Sequence, residues 1–141
     1  MMNDNLMETR HLSNGTTLNL YDVSRRQGAD RWIVTMEARL DIPVTEDALP
    51  PEPMNGLPLA SVRDVLGPRV VFLSRRERVF VPDDEKDDIL TLLREEFCAN
   101  AVPYLANPVF PARFIIKQYR EVQQKKALQQ AVAAATPPDP T

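Results

Sequence analysis

Arginines in two short clusters are the residues of this chain whose type and spacing are best suited to binding a ligand. Arg76 and Arg78 lie two residues apart, so in a strand they share one face at about 6–7 Å. Two guanidinium groups at that spacing suit the bidentate binding of phosphate or carboxylate groups. With an arginine pair and an aromatic residue nearer the N-terminus they form a candidate anion-binding face: Tyr21, Arg25, Arg26, Arg76 and Arg78.

The same arginines have a second interpretation, because acids are interleaved with them. Glu37 and Asp41 lie on the strand expected to pair with the one that carries Arg76 and Arg78. Cross-strand ion pairs on a solvated sheet face then account for the arginines without a ligand, at less than about 1 kcal/mol each. Because the net charge is −3, nucleic acid is an unlikely ligand of this face, and it is kept as an alternative.

Few residues of this chain could bind a metal ion or act as a nucleophile. One histidine, His11, and one cysteine, Cys98, are too few for a zinc site, and HExxH and CxxC motifs are missing. With four glycines, no phosphate-cradling loop can be drawn. The acids of residues 83–88 lack the spacing of an EF-hand and suit a helix N-terminus instead. We expect no cofactor and no metal, and an enzyme without a recognisable motif is kept as the third hypothesis.

The charges are segregated along the chain, although the net charge is only −3. Residues 83–96 carry seven acids and two bases, whereas residues 97–126 carry five bases and one acid. Opposite segments of this kind can pair within one chain or between two chains. Our first hypothesis is therefore a non-enzymatic interaction or accessory protein, with a protein partner or a second copy of itself. The second hypothesis is a module that binds an anion, a nucleotide or nucleic acid on the arginine-bearing sheet face.

Composition fits a cytoplasmic protein of one domain. At 141 residues and 43% hydrophobic content the chain can build a single core. It lacks an apolar run of the roughly 18–20 residues that cross a bilayer, and its first residues lack the apolar core of a secretory signal. A single cysteine excludes an intrachain disulfide. We expect no membrane association.

The sequence pattern of the first half of the chain predicts strands. Ser13, Asn14 and Gly15 supply a turn, followed by a strand over residues 16–23. Residues 32–44 alternate apolar and polar over more than ten positions, which predicts a central strand with one face on the core and the other in water. A Pro-rich loop over 45–60 and a short helical stretch over 61–66 lead to a strand over 69–81.

The sequence pattern of the second half predicts helices. One begins at residues 82–85, where Asp83 can cap it, and ends near Asn100, and a second begins near Pro111. We expect residues 1–9 to be disordered, residues 10–126 to form a single domain, and residues 127–141 to be a helix tail and a disordered end. The fold class is α+β, an antiparallel sheet of three to four strands followed by two C-terminal helices. A β-barrel with a helical extension is the alternative.

Several segments together resemble a group of small bacterial proteins whose function is not characterised. The resemblance implies a bacterial origin and a single domain, and it implies no function. It is carried by residues 14–25, Asp30-Arg31-Trp32, Tyr104 and Phe110-Pro111-Ala112-Arg113-Phe114.

Overall fold

A five-stranded antiparallel sheet with helices on one face forms the α+β fold that the sequence predicts. The computed structural model describes residues 5–46, 48 and 58–135. The strands are β1 (Asn5–His11), β2 (Thr17–Asp22), β3 (Arg25–Arg26), β4 (Arg31–Pro43) and β5 (Arg69–Pro82). The α-helices are α1 (Leu59–Leu66), α2 (Lys86–Asn100), α3 (Val102–Leu105) and α4 (Phe110–Ala135), and a 3-10 turn over Asp83–Glu85 leads into α2.

β4 is the central strand. β5 pairs with it along its whole length, from Arg31↔Pro82 to Pro43↔Arg69. Its other edge is shared by β2 and the two-residue β3, and β1 pairs with the far side of β2. The edge strands in the described part of the chain are thus β1 and the short β3 on one side of β4 and β5 on the other.

The core lies on the face of the sheet that we call the inner face. Alternate residues of β4 are fully buried there, and α2 and α4 cover them. Phe97 of α2 and Ile115 of α4 lie in the same cluster. Phe72 of β5 makes edge-to-face contacts with Phe110 and Phe114 of α4. The buried residues of the two central strands on this face are Leu18, Leu20, Val34, Met36, Ala38, Leu40 and Ile42.

The opposite face, which we call the outer face, is less solvated than the alternation predicts. Thr35 and Glu37 point to it, yet they are only 1% and 5% exposed. The Thr35 hydroxyl donates to Glu77 at 2.9 Å, and Glu37 accepts from two arginines. Long cross-strand side chains therefore shield the centre of this face, so the expectation that it meets water is wrong at these two positions.

The expected disordered N-terminus is wrong for residues 5–9. They belong to β1, which pairs with β2 from Asn5↔Asp22 to His11↔Thr17. Glu8 binds Arg94 of α2 at 2.6 Å and also pairs with Arg10. Sequence alternation did not reveal this strand because its side chains are mostly polar and it is held by backbone pairing and charge. Residues 1–4 lie outside the described part.

The turn between β1 and β2 connects the sheet to the helices. Gly15 has a φ of 86°, as the predicted turn requires. The Asn14 side-chain amide donates to the carbonyl oxygens of Leu105 at 2.7 Å and Asn107 at 2.9 Å, at the connection between α3 and α4. The turn residues therefore satisfy backbone groups that the helix ends leave open.

The two long helices begin and end close to the predicted positions, and α1 begins two residues earlier than expected. Most of the Pro-rich loop and residues 136–141 lie outside the described part, so their predicted states stay predictions. Among the described helices, none combines the length and the apolarity that crossing a bilayer demands.

Phe80 has a backbone conformation that bulky side chains rarely adopt. It lies where the β4–β5 register shifts between Trp32 and Val34, and its φ is 57°. The Gln27 side chain accepts its N–H at 3.0 Å, and the phenyl ring is 67% exposed. Glycine is the usual residue at such a bulge, because a Cβ is crowded there. The chain therefore places an exposed aromatic residue in a backbone conformation that is unfavourable for a residue with a Cβ.

We expect Phe80→Gly to stabilise the fold. Relief of left-handed strain of about 1–2 kcal/mol, less the added backbone entropy of glycine in the unfolded chain, leaves a gain of about 0.5–1 kcal/mol. The midpoint temperature of thermal unfolding should rise by about 2–4 °C. Val79→Gly, at a neighbouring exposed residue without a positive φ, is the matched control and should lower it. Equal losses from both would contradict strain at Phe80.

The Glu8–Arg94 pair predicts a pH-dependent contribution to stability. The hydrogen bond from Arg94 is the main cause that holds the pKa of Glu8 below its ordinary value of 4.5, against the opposing effect of burial. A lowered folded-state pKa stabilises the fold above the unfolded pKa, and the stabilisation disappears as the pH falls through the folded pKa.

Arg94→Met should therefore cost up to about 1 kcal/mol at pH 7, because the pair is partly exposed. The difference from the wild type should vanish once acid protonates Glu8. Denaturant unfolding across this pH range measures it, with Arg69→Met as a control that removes an arginine outside the described ion pairs. A cost that persists unchanged in acid would point to lost packing rather than charge.

Candidate functional site

The predicted anion-binding residues do not share one face of the sheet. Tyr21 lies on the outer face, opposite Glu37, which in turn pairs with Arg75. Arg76 pairs with Met36 and Arg78 with Val34, so both point to the inner face. The predicted alternation within β5 is correct, but the arginine pair lies on the helix-covered side and Tyr21 on the other.

Arg76 and Arg78 already contact neighbouring groups. The Arg76 guanidinium lies 5.2 Å from the centre of the Phe97 ring and donates to the Ser74 hydroxyl at 2.8 Å. Arg78 pairs with Glu96 of α2 at 3.7 Å. Each also donates to the carbonyl oxygen of the residue before it in β5. These contacts hold α2 against the sheet, and neither Glu37 nor Asp41 is the partner.

Arg25 and Arg26 lie at the other end of the sheet, on β3. Arg26 lies 4.7 Å from the centre of the Trp32 ring and 3.8 Å from Asp83. Lys86 lies at the same distance from that ring, and the indole N–H donates to Asp83 at 2.6 Å. Arg25 is exposed and pairs with Ile33 through the backbone. Arg26 thus helps to fix the start of α2 on the sheet.

Asp22 completes the attachment of α2. Its carboxylate accepts from Lys86 at 3.2 Å and from the backbone N–H of Ser24 at 3.0 Å. Burial opposes the charged form, but the hydrogen bonds from Ser24 and Lys86 outweigh it, so the pKa of Asp22 is lowered. A carboxylate kept ionised by fixed partners serves structure here, because its lone pairs are already engaged.

A charged cluster occupies the centre of the outer face. The Glu37 side chain, 6% exposed, accepts from Arg39 at 2.8 Å and from Arg75 at 3.3 Å. Arg39 also lies 4.1 Å from the centre of the Tyr21 ring. The carboxylate has charge-assisted partners on both sides, which explains how an ionisable group is buried on this face. Tyr21 is therefore a platform for Arg39 rather than for the predicted pair.

A different set of cations has no such partners. Arg113, Lys117 and Arg120 are exposed on α4, and in the described part of the chain their side chains make no hydrogen bond or ion pair. Their spacing of four and then three residues places them on one face of the helix. They line a cleft of about 680 Å³ whose described lining residues belong to α4, except Val109, which directly precedes it.

The floor of this cleft is apolar. Ala112 is 2% exposed and Ile116 is 8% exposed, and Val109 lies at one end of the row. Glu121 and Gln124 lie at the other end. We call this surface the basic cleft, lined by Val109, Ala112, Arg113, Ile116, Lys117, Arg120, Glu121 and Gln124. It combines positive charge with apolar surface.

The pairing of the acidic and basic segments within one chain does not occur among the described residues. The bases of residues 83–96 bind acids of the sheet instead, Lys86 at Asp22 and Arg94 at Glu8. Glu96 pairs with Arg78 of β5. The sequence signal for the basic cleft was the excess of bases over residues 97–126, and helical spacing within that segment would have identified it.

The remaining chemical side chains are dispersed. The His11 ring lies 3.3 Å from the Thr17 hydroxyl on the sheet edge, and Cys98 is half-buried against the core. Over residues 5–46, 48 and 58–135, His, Cys, Asp and Glu do not gather into a group that could hold a metal ion.

Comparison with known proteins adds no relative. No protein-family model matches the chain, and neither the curated proteins nor the solved structures gave a significant match. Function is therefore argued from the geometry of the described residues.

The ion pairs of the buried Glu37 and the half-exposed ion pair of Glu96 should differ in their contribution to stability. Glu37→Gln removes the charge from a buried carboxylate with two arginine partners, so we expect a loss of about 1–2 kcal/mol. Glu96→Gln removes one side of a half-exposed pair and should cost less than about 0.5 kcal/mol. Denaturant unfolding of both variants at neutral pH measures the difference, and equal effects would contradict the assignment.

Proposed function

We propose that this chain is a non-enzymatic interaction protein that binds an acidic segment of a partner protein along the basic cleft. One observation carries the proposal. Arg113, Lys117 and Arg120 lie in a row beside an apolar floor, and none of them has a partner in the described part of the chain. Elsewhere the cations that sequence favoured as ligand-binding residues, such as Arg26, Arg76 and Arg78, already contact aromatic rings or acids.

The dimensions of the basic cleft favour an extended partner over a small anion. Its described residues run from Val109 to Gln124, which is about 22 Å of helix at 1.5 Å per residue. A single phosphate group spans only part of that row. An amphipathic segment can place acids against the three cations and apolar side chains against Ala112 and Ile116, as amphipathic helices do in hydrophobic grooves.

Electrostatics would make this association fast and sensitive to salt. Exposed cations increase the rate of encounter with an acidic surface, and ions screen them beyond about 8 Å at physiological ionic strength. The apolar floor is less sensitive to salt and supplies the part of the affinity that persists. In this proposal the protein acts in the bacterial cytoplasm, as expected from its sequence, and the comparisons with known proteins add nothing to that expectation.

The test is affinity capture from the native host with three forms of the protein. The cleft variant carries Arg113→Glu and Lys117→Glu. The control variant carries Lys125→Glu and Lys126→Glu, which lie on the same helix outside the described lining of the cleft. Both variants change the net charge equally. We expect a partner that the wild type and the control retain and the cleft variant loses, identified by mass spectrometry.

Direct binding then distinguishes the class of ligand. A synthetic peptide of the captured partner's acidic segment should bind the wild type at low salt and lose at least about tenfold in affinity, ~1.4 kcal/mol, with the cleft variant. Inorganic phosphate and a short oligonucleotide are titrated in parallel. If these bind through the same cations while no acidic peptide does, the chain is an anion-binding module and the proposed function is wrong.

The same cleft variant should fold normally. Arg113 and Lys117 are exposed and make no described ion pair, so their replacement removes no stabilising contact. Thermal unfolding of both double variants should lie within about 2 °C of the wild type, less than the shift that 1 kcal/mol produces. A large loss for the cleft variant alone would mean that the two cations support the fold.

A further inference from the structure

We propose that two copies of this chain associate through β5, whose free edges pair antiparallel in a register centred on Arg76. Within the described residues, β5 pairs with β4 alone, so its other edge carries backbone groups that no strand satisfies. From Arg69 to Phe80 it has no fully buried residue. A long edge strand of this kind is a ready template for another strand.

The two edges of the sheet differ in how they are protected. β1 has seven residues and carries Glu8, Arg10 and His11, and short charged strands discourage pairing between molecules. β5 has fourteen residues. It carries four arginines and one glutamate, and it also exposes apolar side chains, including Leu73 at 58% and Val79 at 54%. Because both edges carry charges, length and exposed apolar side chains distinguish them, and β5 is the longer edge with the more exposed apolar side chains.

The sequence of β5 is complementary to itself in the register centred on Arg76. When Arg76 lies opposite Arg76 of a second copy, Leu73 faces Val79 and Arg75 faces Glu77 of that copy. Each pair occurs twice because of the two-fold symmetry. Cross-strand apolar pairs and opposite charges are the pairs that stabilise antiparallel strands. Arg75 has a side chain that is 62% exposed and is thus accessible to a second acid.

Neighbouring registers lack this match. Centring the pairing on Arg75 places that arginine against its own copy and Leu73 against Glu77. Centring it on Glu77 places two carboxylates together and Arg75 against Val79. Each of these three registers sets one charged residue against its own copy, which is unfavourable, so the flanking pairs decide between the registers. In the favoured register Arg76 lies on the axis, but its guanidinium is held along its own molecule by Ser74 and the Phe97 ring.

Pairing of this kind would join two sheets into one and give the assembly two basic clefts. This does not depend on what the basic cleft binds, because β5 and α4 contribute different residues to the two surfaces. If the cleft does bind a partner, two clefts on one particle would raise the apparent affinity for a partner that carries two acidic segments.

The first experiment is sedimentation velocity over a concentration series. We expect the wild type to form a dimer and Leu73→Lys to weaken the dimer at least about tenfold, since the change is made twice in a symmetric interface. The matched control is Leu6→Lys, at a residue that is 56% exposed on the opposite edge strand, β1. A wild type that stays monomeric throughout, or equal weakening by both variants, overturns the proposal.

The second experiment fixes the register by disulfide trapping in a Cys98→Ala background. A mixture of Leu73→Cys and Val79→Cys chains should form a mixed disulfide, because directly opposite residues of paired strands lie within disulfide reach. Leu73→Cys alone should stay uncrosslinked, since its two copies lie six residues apart in this register. Both positions are exposed, so random collision would crosslink Leu73→Cys alone as readily as the mixture. That result would overturn the register.

Discussion

The burial of one face of β4 is the constraint on which the rest of this structure depends. Val34, Met36, Ala38, Leu40 and Ile42 are all fully buried, and removing such side chains from water is the largest favourable contribution to folding. A strand buried so completely needs paired neighbours on both edges and cover on its face. β2 and β5 supply the hydrogen bonds, and α2 and α4 supply the cover.

Charge then positions the elements that the core brings together. α2 is attached to the sheet at three places, through Lys86, Arg94 and Glu96, and each ion pair joins the helix to a different strand. Individually such partly exposed pairs are weak. Together they fix the orientation of α2, because the ion pairs at Asp22, Glu8 and Arg78 cannot all be kept if the helix rotates or slides.

The cations of this chain fall into two groups, those that hold the fold together and those that are available to a ligand. Most arginines of the sheet, with Arg25 and Arg69 as exceptions, contact acids or rings of the fold, whereas the row on α4 makes no ion pair with a described acid. A helix that covers the core with one side must present its other side to solvent, and α4 places its bases at that boundary. The open edge of β5 has a similar origin, since β4 needs β5 but nothing described needs the far side of β5.

The sequence by itself determined the local structure and the fold class. The alternation over residues 32–44, the Asn14-Gly15 turn and the acidic start of α2 each depend on near neighbours in the chain, so the α+β class and the alternation within β5 could be predicted. The candidate site could not. Which face of β5 the helices would cover, and therefore whether Arg76 and Arg78 would meet solvent or Phe97 and Glu96 of α2, depends on contacts between residues about twenty positions apart. The same holds for β1, whose polar strand is specified by the partner it pairs with, and for the cations of α4. Only the tertiary structure decided which charges of this chain found partners, because a charge is satisfied by what lies near it in space and not by its neighbours in sequence.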